Sequence, residues 1–222
     1  MNMITKNHDQ LTIEVEKHIE SGSIAQGAYW NGSRGCFIGC LTHSNDVSVL
    51  GDRFGLPAPL VLICENIFEA LTPDGAKAFF AAIPAAVGCD GKDLTRVHWA
   101  LLASELQALP KAIGVIKHVV DPVIEGMLLL ASGEEWPEAA AAAAAASAAR
   151  VLGAEARAAY EAARAAYEAA GVELTEVAEY AVYATYAAAR ITRATYDTAR
   201  VRQCHTVLRL IEKAPVTMAS SS

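Results

Sequence analysis

The chain has 222 residues, a formal charge of −7 and an apolar fraction of 53%. Alanine supplies much of that fraction, so any core is thin and its helices must approach closely. The acidic balance argues against a general polyanion binder, and therefore against nucleic acid as a partner. Residues 137–222 carry nine Lys/Arg and nine Asp/Glu, which places the whole deficit in residues 1–136.

Taken in order, Met1–Glu20 is polar and charged, which does not fit a signal peptide. Leu11–Ile19 reads as a short surface helix that ends at Ser21-Gly22-Ser23. The next stretch, Tyr29–Ser44, concentrates unusual residues. Asn31-Gly32 is a turn dipeptide, because both residues tolerate positive φ. Gly35 then lets the chain bend into a predicted short helix, Cys36–His43. Trp30 and Arg34 in this stretch are candidate binding residues.

Cys36 stands at the predicted helix N-terminus, where the helix dipole and unpaired N–H groups favour a thiolate. That makes it a candidate nucleophile, with His98 or His205 as a distant acid/base partner. The plainer reading makes Cys36 and Cys40 small residues at a close helix contact, with Gly35 and Gly39 providing the room. Cys36, Cys40 and His43 fall on one helix face and are candidate metal ligands. However, the step from Cys36 to His43 is about 10.5 Å along a continuous helix. Only neighbouring pairs can therefore share an ion. No zinc-binding spacing supplies the remaining ligands, and no cofactor is expected.

Ser44 is a predicted N-cap for a helix at Asn45–Phe54, stopped by Gly55 and Pro57. Leu60–Leu71 is the most apolar helix of the front half. Within it, Glu65 and Glu69 share a face. Such a pair serves as acid and base or as metal ligands, or is simply a solvated stripe. Thr72-Pro73 caps and opens a helix at Asp74–Ile83. Further helices are predicted at Asp93–Leu109, Lys111–Val120 and Val123–Ala131, the last two separated by Asp121-Pro122.

The run Trp30-Asn-Gly32-Ser-Arg-Gly35-Cys36-x-x-Gly39-Cys40 resembles the opening signature of an uncharacterised bacterial and phage protein family, W-x-G-x-x-G-C-x-x-G-C. Phe54-Gly55-Leu56-Pro57 and Ile67-Phe68-Glu69-Ala70-Leu71 resemble its next blocks, with Ala70 where the family carries Gly. The closing Leu208-x-Leu210-Ile211-Glu212 resembles its last helix. The resemblance implies a helical protein with a shared N-terminal feature, and no assigned activity.

At Glu134-Glu135-Trp136-Pro137 the chain changes character. Glu138–Ala149 is nearly all alanine, the strongest helix former, yet too short and weakly apolar to span a membrane. Arg157-x-x-Tyr160-Glu161 recurs as Arg164-x-x-Tyr167-Glu168. This seven-residue period points to close, coiled-coil-like packing or a homo-oligomer interface. After Gly171 a last helix runs to about Lys213. Its Tyr183, Tyr186, Arg190, Arg193 and Arg200 share a face suited to docking on the acidic front half, to a protein partner, or to phosphate and single strands.

The expected fold is all-α: a helical region 1–132, an Ala-rich helical hairpin or bundle 137–214 and a disordered tail 215–222. Five cysteines without scaffold spacing point to reduced thiols in a cytoplasmic protein. Phosphate loops, nucleophile elbows and metalloprotease motifs are missing. The favoured function is a non-enzymatic helical interaction protein with a protein partner, a phage or mobile-element product acting on a host protein being one form of it. The alternatives are a thiol-dependent enzyme built on Cys36 and a small metal or iron–sulfur protein using Cys36 and Cys40.

Overall fold

The computed structural model describes residues 3–109, 115–150, 154–169, 180, 183–184 and 196–217. The fold is all-α. Among the described residues there are ten helices and no strand, only isolated bridges. None of these helices is long and apolar enough to cross a membrane.

The chain forms two compact units, Met1–Thr95 with Arg200–Ser222, and Arg96–Ala199. In the first, α1 (His8–Glu20), α2 (Phe37–Thr42), α3 (Ser48–Phe54), α4 (Ala58–Ala70) and α5 (Pro73–Val87) follow in sequence. The α1 N-terminus is capped from a distance, since Asp90 Oδ1 accepts from the His8 N–H at 2.7 Å. Helix α3 begins three residues later than expected. Asp46, rather than Ser44, accepts from the Ser48 N–H, while Ser44 holds the preceding turn by accepting from Asp46 N–H. At α5, Thr72 accepts from Gly75 N–H, with Pro73 opening the helix.

Phe37, the first residue of α2, is the hub of the core. Its ring meets Phe80 edge-on at 5.8 Å and lies 6.2 Å from Phe79 and 6.4 Å from Phe68. Burying one such ring contributes roughly 1.5–3 kcal/mol. Buried Lys92 donates to the carbonyls of Ala86, Ile211 and Glu212, at the C-terminal ends of α5 and the last helix, α10 (Tyr196–Glu212). A cation there meets the negative ends of two helix dipoles.

The tail beyond α10 is not loose at its start, as the composition had suggested. Asp93 N–H donates to Pro215 carbonyl and Thr217 N–H to Gly91 carbonyl. Residues 218–222 lie outside the described residues.

The second unit contains α6 (Val97–Gln107), α7 (Val115–Ser132), α8 (Glu138–Ala149) and α9 (Ala154–Ala169). The expected break at Asp121-Pro122 does not occur, and α7 runs through Pro122. An interior proline costs about 3 kcal/mol. Burial of Val119, Val120, Val123 and Met127 on the same helix outweighs it. Trp136 packs flat on Gly126 of α7, where a Cβ would overlap its indole. Alanines line the packed face of α9, with Ala158, Ala159, Ala162, Ala163 and Ala165 all at 0% exposure. Arg157 pairs with Glu161 along that helix, and Arg164 donates to Tyr180 Oη at 3.2 Å.

Because that face has no room for bulk, Ala165→Leu is expected to destabilise the protein by about 1–3 kcal/mol. Thermal or urea unfolding checks it, and an unchanged midpoint would contradict close packing.

Candidate functional site

Between α1 and α2 the chain folds back on itself in a glycine-shaped knot. Ala25 N–H donates to Gly35 carbonyl at 2.8 Å, and Gly35 N–H to Ser23 carbonyl at 2.9 Å. Asn31 Oδ1 accepts from the Ser33 and Arg34 N–H groups, and Gly32 takes φ +96° to close that turn. Cys36 N–H is shared between the carbonyls of Ala28 and Tyr29 at 2.9 and 3.2 Å. The Tyr29 peptide thereby lies directly on the first turn of α2. A Cβ at Gly35 or Gly39 would overlap the Tyr29 carbonyl. These two glycines are thus required for approach, and Gly32 for conformation.

Two carboxyls from α4 hold the knot from below. Glu65 Oε2 accepts from Ile38 N–H at 3.0 Å, and both Glu69 oxygens accept from Gly27 N–H at 2.9 and 3.1 Å. Gln26 adds a fork, donating from Nε2 to the Phe68 and Leu71 carbonyls at 2.7 and 2.9 Å. The Cys36 thiol and the Glu69 carboxyl are the near neighbours of Glu65. Cys36 Sγ and one oxygen from each carboxyl all lie within 4.8 Å of one another. The glutamate pair is therefore not a solvated stripe. Burial, and then the Glu69 charge, push the Glu65 carboxyl up to about 7, against the opposing pull of its Cys36 and Ile38 hydrogen bonds. Burial also raises Glu69, offset in part by the Gly27 N–H. The phenol of Tyr29 is raised by burial and by the charges of Glu65, Cys36 and Glu69.

Of the two readings of Cys36, thiolate or packed residue, the burial matches the packed one. Cys36 is indeed the N-cap of α2, but it is only 1% exposed. Burial and the Glu65 carboxyl push its thiol up to about 12, more than the nearby Gly39 and Ile38 N–H groups offset. Cys40 is likewise pushed up to about 12 by burial, and its thiol donates to the Gly35 carbonyl at 3.2 Å. No imidazole is among the groups facing either thiol. The two cysteines fill the knot as protonated side chains.

His43 closes α2. It is the C-cap of α2 at φ +54°, and Trp30 stacks on its ring at 4.3 Å with planes 21° apart. His43 Nε2 lies 3.4 Å from His18 Nε2, while His18 Nδ1 lies 2.7 Å from Ser23 Oγ. Burial, and next the neighbouring His43, lower His18 below the ordinary imidazole range; Glu14 and the Cys40 carbonyl oppose this. Of the other knot residues, Tyr29 is 46% exposed, and Arg34 is exposed with Nη2 directed to the Ile24 carbonyl at 3.4 Å.

The remaining candidates lie on later elements of the chain. His98 lies on α6, buried with neither ring nitrogen paired and pushed down to about 3 by burial. His205 is exposed on α10. Arg200 is fully buried rather than displayed, donating from Nη1 to Asn66 Oδ1 at 3.0 Å and Gln203 Oε1 at 2.9 Å. Tyr183 is exposed, whereas Tyr186, Arg190 and Arg193 lie outside the described residues. The sequence reading missed His18, which shows only as a histidine one turn after Glu14 on an otherwise ordinary surface helix.

No protein-family model, curated protein or solved structure matches the chain. Its functional reading therefore rests on its own geometry.

In the folded protein, iodoacetamide near neutral pH should label the exposed Cys89 and spare Cys36, Cys40 and Cys64, which are buried. With a pKa of about 12, Cys36 is ionised to less than about one part in ten thousand at pH 7.5. Mass mapping of the adducts checks this, and prompt alkylation of Cys36 would contradict it.

Proposed function

We propose that the protein is a non-enzymatic interaction module that engages a protein partner through the loop 27–34. The observation that carries this reading is the way the loop is held. Tyr29 and Arg34 stand exposed on a segment fixed by the Glu69, Gln26 and Asn31 hydrogen bonds and by the Tyr29 peptide against Gly39. A connecting loop needs no such restraint. A recognition loop gains from it, because ordering costs are met before the partner arrives. Tyrosine, tryptophan and arginine are also the residues that most often dominate protein interfaces.

A thiol enzyme is the weaker reading, since Cys36 is buried and its thiol is pushed up to about 12 by burial and the Glu65 carboxyl. An iron–sulfur or zinc centre on Cys36 and Cys40 is weaker for the same reason. Both thiols are buried, and that of Cys40 already donates to the Gly35 carbonyl.

Tyr29→Ala and Arg34→Ala each remove an exposed side chain and should leave the melting midpoint within about 0.5 kcal/mol of the parent. Their effect on a co-purified cellular partner should be large, about 10- to 30-fold weaker binding for a dominant contact. Partner capture followed by titration of the purified pair measures this. Undiminished binding by the double variant would refute the loop as the docking surface.

A further inference from the structure

We infer that His18 and His43 form a two-histidine site for a borderline divalent transition ion such as Zn²⁺. The two Nε2 atoms belong to different elements, the last turn of α1 and the C-cap of α2, yet face each other at 3.4 Å. Two nitrogens bound to one ion at about 2.0–2.1 Å with a near-tetrahedral angle stand roughly 3.3–3.4 Å apart. The observed separation is that bite.

The tautomer needed for binding is provided on the buried member of the pair. Ser23 Oγ stands 2.7 Å from His18 Nδ1 and 3.3 Å from the His18 carbonyl, a placement that suits donation by Nδ1–H to the hydroxyl. His18 Nε2 then keeps its lone pair and points it at His43. A histidine ligand whose other nitrogen is held by a hydrogen bond is the usual arrangement at metal centres. In the metal-free protein, His43 fills the gap by donating its own Nε2–H to that lone pair. On metal binding this proton leaves Nε2, either to Nδ1 of the same ring or to solvent, and the ion takes its place.

Two further features suit an ion. His43 holds its ring inward through a left-handed backbone conformation that few residues adopt, and Trp30 stacks on its face. The charged groups acting on His18 are Glu14 and Lys17 of α1 and His43 itself. The first two oppose each other. His43 is exposed, which leaves the other coordination positions to water. The Cys36–Glu65–Glu69 group is a poorer host. Its carboxyl oxygens already accept from Ile38 and Gly27, and its thiol is protonated.

The test is titration of the full-length, chelator-treated protein with Co²⁺ and Zn²⁺ near pH 7.5. The expected result is one ion per chain, with visible Co²⁺ bands and no thiolate charge-transfer band in the near-ultraviolet. His43→Gln should weaken binding by tenfold or more. His43→Phe, which keeps a ring against Trp30, should do the same without loss of fold. Ser23→Ala, which frees the His18 tautomer, should weaken binding by about tenfold while leaving both ligands in place. Three results would each overturn the proposal: no binding up to millimolar metal, equal affinity in the parent and His43→Phe, or a thiolate band that disappears in Cys36→Ala.

Discussion

The N-terminal unit depends on one contact, the Tyr29 peptide laid against the first turn of α2 with only Gly35 and Gly39 leaving it space. Everything specific to this region follows from that approach. It brings Tyr29 and Arg34 to the surface, turns Trp30 onto His43 and closes the loop over α4. A methyl group at either glycine would force the peptide off the helix. The pattern of glycines and cysteines is thus a steric pattern first, with small side chains filling what the glycines leave.

The contact is coupled to the core through adjacent residues. Cys36 caps α2 and touches Glu65, Phe37 fills the centre of the aromatic cluster, and Ile38 donates to Glu65. The loop therefore cannot shift without disturbing either the phenylalanine packing or a buried carboxyl. Placing a partly protonated glutamate beneath a backbone N–H is costly unless its neighbours complete the hydrogen bonding. Here the Ile38 N–H donates to it, and the Cys36 thiol and Glu69 lie within 4.8 Å. Rigid display of the loop and its anchoring in the core are one arrangement.

Much of this was legible in the residues. The all-α class followed from alanine content and helical spacing, and the Thr72-Pro73 start and the close-contact role of Gly35 and Gly39 followed from local rules. Other features depend on residues far apart in the chain. Glu65 and Glu69 read as a surface pair because nothing local shows that Gly27 and Ile38 return to them. The helix position of Cys36 left a reactive thiol open beside the packed reading, and only the tertiary burial bears on that choice. Arg200 read as part of a face docking on the front half or meeting a partner, and Asn66 of α4, with its neighbour Gln203, takes up its guanidinium. Pro122 read as a break, because the apolar burial that carries α7 through it is tertiary.

The central claim, that the loop before α2 is held rigid by the knot and its two carboxyls, is tested most directly by native-state hydrogen exchange. The account predicts slow exchange at the Gly27, Asn31, Gly35, Cys36 and Ile38 amides, all hydrogen-bonded within the knot. The Gly32 amide, at the tip of the turn, should exchange fast. Exchange of Gly27, Cys36 and Ile38 at the rates of an unstructured chain, under conditions where α4 and α5 stay protected, would contradict it.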